Sequence, residues 1–420
     1  MNDPNTAPEL FTWEFATDPY PAYTWLREHS PVHRTRLPSG VEAWLVTRYA
    51  DARQALADQR LSKNPAHHAE PAHAKGKTGI PGERKAELMT HLLNIDPPDH
   101  TRLRRLVSKA FTPRRVAEFA PRVQELTDRL IDDIFEKQHS AEKGEADLIH
   151  EFAFPLPIYA ICDMLGVPRE DQDDFRDWAG MMIRHGGGPR GGVARSVKKM
   201  RGYLAELIHR KREDPGEDLI SGLIKASDHG EHLTENEAAA MAFILLFAGF
   251  ETTVNLIGNG VYALLRNPGQ RERLQASLAA GESGLLATGV EELLRYDGPV
   301  ELATWRFATE PLTVGGQRIA AGDPVLVVLA AADRDPERFD SPDTLDLSRT
   351  DNQHLGYGHG IHYCLGAPLA RLEGQTALAT LLRRMPDLRL AGDPDDLRWR
   401  GGLIMRGLRT LPVEFTPQTN

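Results

Sequence analysis

The sequence predicts a mainly α-helical fold with a minor β component. A capping box of Thr234 and Glu237 opens a largely apolar segment at 234–266, which predicts a long buried helix. Strand-like patterns are confined to 31–49, which predicts a hairpin, and to 300–330. Because strands nowhere alternate regularly with helices, the sequence argues against a doubly wound or barrel fold.

The other elements follow from apolar periodicity and from the positions of proline and glycine. Asp99 is expected to cap a helix after two prolines, and Gly166 is expected to end one. Leu312–Val314 and the run 325–329 are the predicted strands of the later β region. The remaining predicted helices cover 19–30, 99–110, 113–137, 151–165, 170–184, 193–212, 284–296 and 367–385.

Composition limits the class of protein. The 420 residues are 41% hydrophobic and carry a net charge of −10, which disfavours nucleic acid or an anionic membrane as a partner. Two cysteines, Cys162 and Cys364, fit a reducing cytoplasm better than a disulfide scaffold. The N-terminus lacks a signal-peptide pattern, and the longest apolar run, 238–248, is shorter than the roughly 20 residues of a bilayer span. We therefore expect a cytoplasmic protein without a membrane anchor.

The stretch 354–366, HLGYGHGIHYCLG, places Cys364 on a glycine-rich loop just before the predicted helix at 367–385. Unpaired backbone N–H groups and the helix dipole stabilise a thiolate at such a position. This cysteine could act as a nucleophile, a redox thiol or a metal ligand. A closed zinc site is disfavoured because the paired C-x-x-C spacing is absent. Since the loop glycines suit a large flat ligand resting on backbone, the segment favours axial haem ligation over a nucleophile.

Polar residues interrupt the long apolar helix at Glu251, Thr252 and Thr253. Thr252 is expected to donate its hydroxyl to the carbonyl of Ala248, four residues earlier, and so to loosen the helix locally. A groove of this kind beside an acid is suited to delivering protons. Alternatively, the threonine only makes this hydrogen bond and Glu251 belongs to a structural ion pair.

Two further charged sets have both functional and structural interpretations. Glu292 and Arg295 share a helix face among leucines, which permits either a buried pair or a surface pair. His100 and Arg104 also share a helix face, and together with Arg306 they could clamp carboxylates.

A basic run surrounds His100, with no acid from Thr101 to Arg115. It is either a solvated helix face or a docking surface for an acidic partner. Its members are Arg102, Arg105, Lys109, Arg114 and Arg115.

With these segments in this order, the chain resembles a cytochrome P-450 of the soluble bacterial kind. The sequence GHGIHYCLG at 358–366 matches the haem-binding signature of that family, and AGFETT at 248–253 matches its oxygen-activation helix. ELLR at 292–295 matches its helix pair, and His100 with Arg104 matches its propionate-binding helix. The resemblance implies one catalytic domain over the whole chain, 1–420, with a helical bundle around haem and small β-sheets.

The resemblance also implies residue roles. Cys364 would be the thiolate ligand of the iron of haem b (iron protoporphyrin IX), and Glu251 with Thr252 would deliver protons to bound dioxygen. Glu292 and Arg295 would support the cysteine loop. The implied haem contacts are His100, Arg104, Ala248, Arg306, Tyr357, Gly358, His362, Cys364 and Gly366, with the propionates held by His100, Arg104, Arg306 and His362.

A protein of this family would insert one oxygen atom of O2 into a small molecule by hydroxylation or epoxidation. Electrons would come from a ferredoxin and its NAD(P)H reductase, with the ferredoxin docked on the basic surface, and the enzyme would be a monomer. A peroxide-driven peroxygenase and a haem-thiolate sensor without turnover are alternatives on the same fold. The Glu251 and Thr252 pair argues against both. A cysteine hydrolase is the alternative without haem.

Two positions depart from the family pattern. Tyr357 replaces the usual phenylalanine, which keeps the aromatic ring. An alignment anchored on 332–336 places Thr344 where the family often has an arginine joined to Glu292 and Arg295. We therefore expect that pair to lack its third member.

Substrate contacts in the family come from the segment before the His100 helix, the connector at 184–192, the long helix, the strand after ELLR and a late hairpin. The corresponding residues are mostly aliphatic, which suits a bulky apolar molecule such as a macrolide or other polyketide, a terpenoid or a steroid-like compound. The loop at 62–94 and the connector would form an access channel that opens widely. The candidate substrate residues are His91, Leu92, Leu93, Ile244, Leu245, Val300, Leu302, Ala303, Leu403 and Ile404.

Overall fold

The computed structural model describes residues 7–67, 91–138, 143–183, 192–228 and 230–417. Its helices are α1 (Trp13–Thr17), α2 (Tyr20–His29), α3 (Tyr49–Ala57), α4 (Asp99–Ala110), α5 (Pro113–Glu118), α6 (Ala120–Glu136), α7 (Pro155–Leu165), α8 (Gln172–Ile183), α9 (Gly192–Glu213), α10 (Leu219–Lys225), α11 (Glu235–Arg266), α12 (Pro268–Ala279), α13 (Gly284–Asp297), α14 (Leu329–Ala332) and α15 (Ala367–Arg384), with a π-helical turn at Ile149–Ala153. Its strands are β1 (Val32–Arg36), β2 (Glu42–Val46), β3 (Leu61–Ser62), β4 (Gly144–Asp147), β5 (Ser227–Asp228), β6 (Glu231–His232), β7 (Arg306–Ala308), β8 (Leu312–Val314), β9 (Gln317–Ile319), β10 (Pro324–Val327), β11 (Arg389–Leu390) and β12 (Pro412–Phe415).

The long helix α11 is the axis of the helical part. The Thr234 hydroxyl accepts from the Glu237 N–H at 3.2 Å, and the Glu237 carboxylate accepts from the Thr234 N–H at 2.8 Å. This is the predicted capping box, and such a cap stabilises a helix by about 1 kcal/mol. The helix packs against α7, α9, α13 and α15, and its apolar side chains join the main core.

Within the described part of the chain, α11 alone is long and apolar enough to cross a membrane. In its most apolar stretch, 72% is buried inside the protein. Such burial is the property of a core helix.

The main β-sheet has the strand order β1–β2–β10–β7–β3. β1 and β2 form the predicted antiparallel hairpin, and β10 lies parallel to β2, with Val325 opposite Trp44. Just before β7, the Ala303 N–H donates to the Val327 carbonyl at 2.8 Å. In a second sheet, β11–β12–β4, the last described strand, β12, pairs antiparallel with β4, which lies much earlier in the chain.

Three local predictions need correction. The predicted helix at 113–137 is two helices, α5 and α6, with Phe119 between them. The predicted helix at 151–165 begins as the π-helical turn, and α7 proper starts at Pro155, whose missing N–H interrupts the helical hydrogen bonds. Asp99 is the first residue of α4 and makes no side-chain cap with any described residue.

The two segments predicted to form an access channel lie largely outside the described residues. These are 68–90 of the loop at 62–94, and 184–191 of the connector.

Candidate active site

Cys364 lies in a loop that leads from a one-turn 3-10 helix into α15. Its N–H donates to the Tyr357 carbonyl at 2.9 Å, which closes the loop on itself. Gly358 and Gly360 both adopt a φ of 75°, a left-handed conformation that glycine accepts at no steric cost. A Cβ at Gly360 would also lie 3.1 Å from the carbonyl oxygen of Leu56. Contact with α3, rather than room for a ligand, therefore explains this glycine.

The Cys364 side chain is accessible, although protein atoms surround it closely. Burial raises the pKa of the thiol, whereas the N–H groups of Gly366 and Ala367 and the charges of Arg104 and Arg371 oppose that rise. The thiolate thus has hydrogen bonds and positive charge around it but little solvation. A bound metal cation would supply the missing stabilisation.

Imidazole and basic side chains converge beside the cysteine loop. The rings of His100 and His362 have centroids 4.4 Å apart. Burial and the positive charges of Lys63 and Arg306, together with His100, lower the pKa of His362 to about 2. His100 Nε2 and His362 Nδ1 are buried and make no hydrogen bond to any described residue. Two carboxylates of a ligand would complete this cluster.

The structure therefore brings the predicted clamp residues together. Arg306 is 3% exposed, and burial lowers its pKa to about 10, an effect that Asp96 opposes. Burial also lowers the pKa of Arg104, and Cys364 opposes that shift. Lys63 is an additional member that the sequence did not indicate, because it is brought in only by the pairing of β3 with β7. The donor set fits an iron porphyrin, with one sulfur ligand and several partners for propionates.

One stripe in the middle of α11 is accessible, although the helix is otherwise buried. Leu245, Gly249 and Thr252 are half-buried and Ala248 is exposed, at the spacing of a single helix face. The Thr252 hydroxyl donates to the Ala248 carbonyl at 2.8 Å, as predicted. An accessible stripe on a core helix indicates that this face borders an internal space. Glu251 lies beside the stripe and is only 4% exposed.

Glu292 and Arg295 form a fully buried ion pair, with Nε–Oε2 and Nη2–Oε1 distances of 2.7 and 2.8 Å. Arg349 is the third member, and its Nε donates to Glu292 at 3.1 Å. The expectation that the third member is missing is therefore wrong. Thr344 contributes a backbone carbonyl, which accepts from Arg295 at 3.2 Å. The chain between Thr344 and Arg349 turns back, so the arginine reaches the pair from a later position than the alignment allowed.

A second ion network holds the cysteine loop and was not predicted. Glu291 accepts from Arg371 at 2.7 Å and pairs with His354 at 3.2 Å. Although burial alone would raise it, Arg371 and His354 lower the pKa of Glu291 to about 2. The Arg371 guanidinium also lies 4.6 Å from the centre of the buried Tyr357 ring. Glu291 precedes the ELLR motif directly, but its partners are 63 and 80 residues away.

The candidate substrate residues divide into two groups. His91, Leu92, Ile244, Leu302 and Ala303 are buried, whereas Leu93, Leu245, Val300, Leu403 and Ile404 are half-buried. The Leu93 N–H donates to His91 Nδ1 at 3.3 Å within one turn, and Leu302 belongs to an apolar core with Trp305. The N–H groups of Glu301 and Leu302 donate to the Ile404 carbonyl, which joins the strand after α13 to the late hairpin.

The predicted basic surface is smaller than the run of basic residues. Arg102 forms an ion pair with Glu237 of the α11 capping box. Arg115 donates to the Ala110 carbonyl at 3.2 Å and to the backbone before α10. These two residues hold helices together. Arg105, Lys109 and Arg114 are exposed.

Comparison with known proteins adds independent information. A family model described as cytochrome P450 matches residues 182–386. Cytochrome P450 107B1 of Saccharopolyspora erythraea is 46% identical over 413 residues, which cover 97% of this chain and 98% of that protein. Cytochrome P450 monooxygenase PikC of Streptomyces venezuelae is 47% identical over 403 residues, covering 96% and 92%. The solved structure of the bacillaene polyketide synthase cytochrome P450 PksS of Bacillus subtilis has a TM-score of 0.86 and 37% identity, covering 99% of this chain and 100% of that one.

Proposed function

The chain belongs to the cytochrome P450 family and is a haem-thiolate monooxygenase, and we propose that it uses haem b and ferredoxin to oxidise a bulky, mostly apolar molecule. The observation that carries this proposal is the arrangement around Cys364. The accessible thiol is surrounded by N–H groups and two arginines, and the buried His100 Nε2 and His362 Nδ1 beside it make no hydrogen bond to any described residue. Haem bound through that sulfur would activate O2, with electron density supplied by the thiolate.

The residues of the chain divide the remaining tasks. His100, Arg104, Arg306 and His362 would hold the two propionates, and Lys63 would add positive charge nearby. Ala248, exposed on the stripe of α11, would leave room for the ring system because its side chain is small. Thr252 presents its hydroxyl on the accessible stripe, and Glu251 beside it exchanges protons with solvent and passes them toward that hydroxyl. Glu292 with Arg295 fixes the segment that leads to the cysteine loop.

The substrate class rests on the half-buried aliphatic residues. Leu93, Leu245, Val300, Leu403 and Ile404 offer apolar surface without a charged group, which favours shape-based binding of a large molecule. PksS, a structural relative, is described as belonging to a polyketide synthase system. We therefore favour a macrolide or other polyketide over a terpenoid or steroid-like compound, with hydroxylation or epoxidation as the reaction.

Carbon monoxide binding to the reduced protein tests the cofactor assignment. Thiolate ligation through Cys364 gives a red-shifted Soret band, and Cys364→Ser should lose that band. A histidine-type spectrum in the unmodified protein would reject the assignment of Cys364. A colourless protein would favour the cysteine hydrolase instead. A screen of polyketides, terpenoids and steroids for a spectral shift of the bound haem would then identify the substrate class.

Thr252→Ala tests proton delivery. Electrons should leak to hydrogen peroxide, so that less product forms per NAD(P)H oxidised, while the carbon monoxide spectrum stays unchanged. Thr253→Ala is the matched control, because the Thr253 hydroxyl is buried on another face and donates to the Gly249 carbonyl at 3.0 Å. Equal coupling in both variants would reject the role of Thr252.

Electron transfer is assigned to Arg105 and Lys109, the exposed basic residues of α4, with the enzyme acting as a cytoplasmic monomer. Charge reversal at Arg105 and Lys109 should slow reduction by ferredoxin, and the effect should shrink at high ionic strength. Arg114→Glu is the control, because Arg114 lies on α5 and pairs with Glu118 at 2.9 Å, and it should not slow reduction. A reduction rate that is unaffected by reversing Arg105 and Lys109 would reject this docking surface.

A further inference from the structure

Three polar residues of α11 face the late hairpin, which is the segment 398–409. Glu251, Asn255 and Asn259 are spaced by four, so they share one helix face, and they are 4%, 1% and 1% exposed. In the hairpin, the Arg400 N–H donates to the Gly407 carbonyl at 2.8 Å. These two residues are therefore direct neighbours across the hairpin.

Close contact fixes the hairpin against α11. A Cβ at Gly407 would lie 2.1 Å from Asn255 Oδ1, so only glycine allows this approach. One turn later, Asn259 Nδ2 donates to the Arg406 carbonyl at 3.2 Å. Gly407 contacts Asn255, and Arg400 lies opposite Gly407 in the hairpin. Arg400 is therefore close to the preceding turn of α11. Glu251 occupies that turn.

The guanidinium of Arg400 is placed for an electrostatic interaction. Its Nη1 is buried and makes no hydrogen bond within the described ranges. Burial lowers the pKa of Arg400, and Glu251 is the charge that opposes this most strongly, ahead of Asp147, while Arg409 adds repulsion. Asp147 already pairs with His150 at 2.5 Å and accepts the Leu411 N–H at 2.9 Å. Glu251 is therefore the principal counter-charge of Arg400.

We propose that Arg400 is the positioning residue that holds the Glu251 carboxylate in its ionised form. This inference rests on the proposed function of Glu251 in proton delivery. A neighbouring cation lowers the pKa of a carboxyl group, typically by 1–3 units, and so makes it a stronger acid. Each proton that leaves the Glu251 carboxyl toward Thr252 is replaced by one from solvent. Without Arg400, the affinity of the buried carboxyl for its proton rises and the proton is transferred more slowly.

Infrared titration of the holoenzyme tests this pair directly. The band of the protonated Glu251 carboxyl is identified by its loss in Glu251→Gln. In Arg400→Met, the affinity of Glu251 for its proton should rise roughly tenfold or more. The midpoint of the pH titration of this band should therefore move upward by about one pH unit or more. Arg400→Lys, which keeps the charge, should titrate like the unmodified protein. Arg398→Met is the matched control, because its exposed guanidinium lies 5.1 Å from the Trp13 ring, away from α11.

An unchanged midpoint in Arg400→Met, or an equal shift in Arg398→Met, would overturn the proposal. If Arg400→Met does not fold, Arg400→Gln removes the charge with less loss of polarity and decides the same question. A second readout is the free energy of unfolding. The changes caused by Arg400→Met and Glu251→Gln should be non-additive in the double variant, whereas those caused by Arg398→Met and Glu251→Gln should add. If Glu251→Gln leaves electron coupling intact while the infrared midpoint shifts, the pair stands and only the proton-delivery role fails.

Discussion

Two fully buried carboxylates, on neighbouring helices, have opposite surroundings. Glu292 on α13 accepts from Arg295 and Arg349, from the Asp346 N–H at 3.0 Å and from Asn352 at 3.2 Å. Glu373 on α15 is 1% exposed, and neither of its oxygens has a hydrogen-bond partner in the described chain. Glu292 is saturated with hydrogen-bond donors. Glu373 instead faces the Thr253 hydroxyl, which donates its hydrogen bond to the Gly249 carbonyl.

The difference decides the charge of each group. The donors around Glu292 stabilise an anion, and the pair with Arg295 leaves neither charge uncompensated. Burial raises the pKa of Glu373 to about 8. A protonated Glu373 is an O–H donor and can give its hydrogen to the Thr253 oxygen. Glu292 is therefore a structural anion, whereas Glu373 is neutral below that pKa. The same residue type has two roles because of the donors brought to it.

Glu292→Ala should produce the largest effect. It leaves the Arg295 guanidinium buried without its partner, so the free energy of unfolding should fall by about 3–5 kcal/mol. Urea denaturation followed by circular dichroism measures the change. Glu310→Ala is the control, because Glu310 is exposed and lies 4.0 Å from Arg60. Equal losses in the two variants would mean that the buried pair contributes no more than a surface contact.

Glu373→Gln should have a smaller effect that depends on pH. An acid whose pKa is raised in the folded state contributes stability that is fully present below its unfolded pKa of about 4.5 and is lost as pH rises toward about 8. Glutamine mimics the protonated acid. The variant should match the unmodified protein near pH 5 and exceed it above pH 8 by on the order of a few kcal/mol.

Denaturation series at several pH values measure the Glu373 effect as a difference between two proteins. This matters because burial also raises the pKa of Glu301 to about 7 and of Asp333 to about 6, and both contributions cancel in the difference. Parallel stability curves for Glu373→Gln and the unmodified protein would show that Glu373 is ionised in the folded state.

The comparison also shows which features a sequence reveals. The capping box at Thr234, the hydrogen bond from Thr252 to Ala248 and the Glu292–Arg295 pair were predictable because helix geometry links residues three or four apart. Arg349 and Lys63 could not be predicted, because the path of the chain between elements decides which distant residue reaches the site. Glu373 carries no local signal either. Its neighbour Gly374 packs on α11, where a Cβ would lie 3.2 Å from Leu256, and the sequence does not show such a contact between two helices.

Arg349→Met should have the smallest effect of the three and tests how far Glu292 depends on its full set of donors. The Arg349 Nε–Glu292 bond is lost, but Arg295, Asp346 and Asn352 continue to donate, so the free energy of unfolding should fall by about 1–2 kcal/mol. Arg338→Met is the matched control, since Arg338 pairs at 2.6 Å with an Asp351 whose side chain is 72% exposed, and it should cost less than about 1 kcal/mol. If Arg349→Met instead approaches the cost of Glu292→Ala, the network acts as one unit in which no donor is redundant. A cost equal to that of Arg338→Met would make the third member dispensable, because the helix pair would then satisfy Glu292 without it.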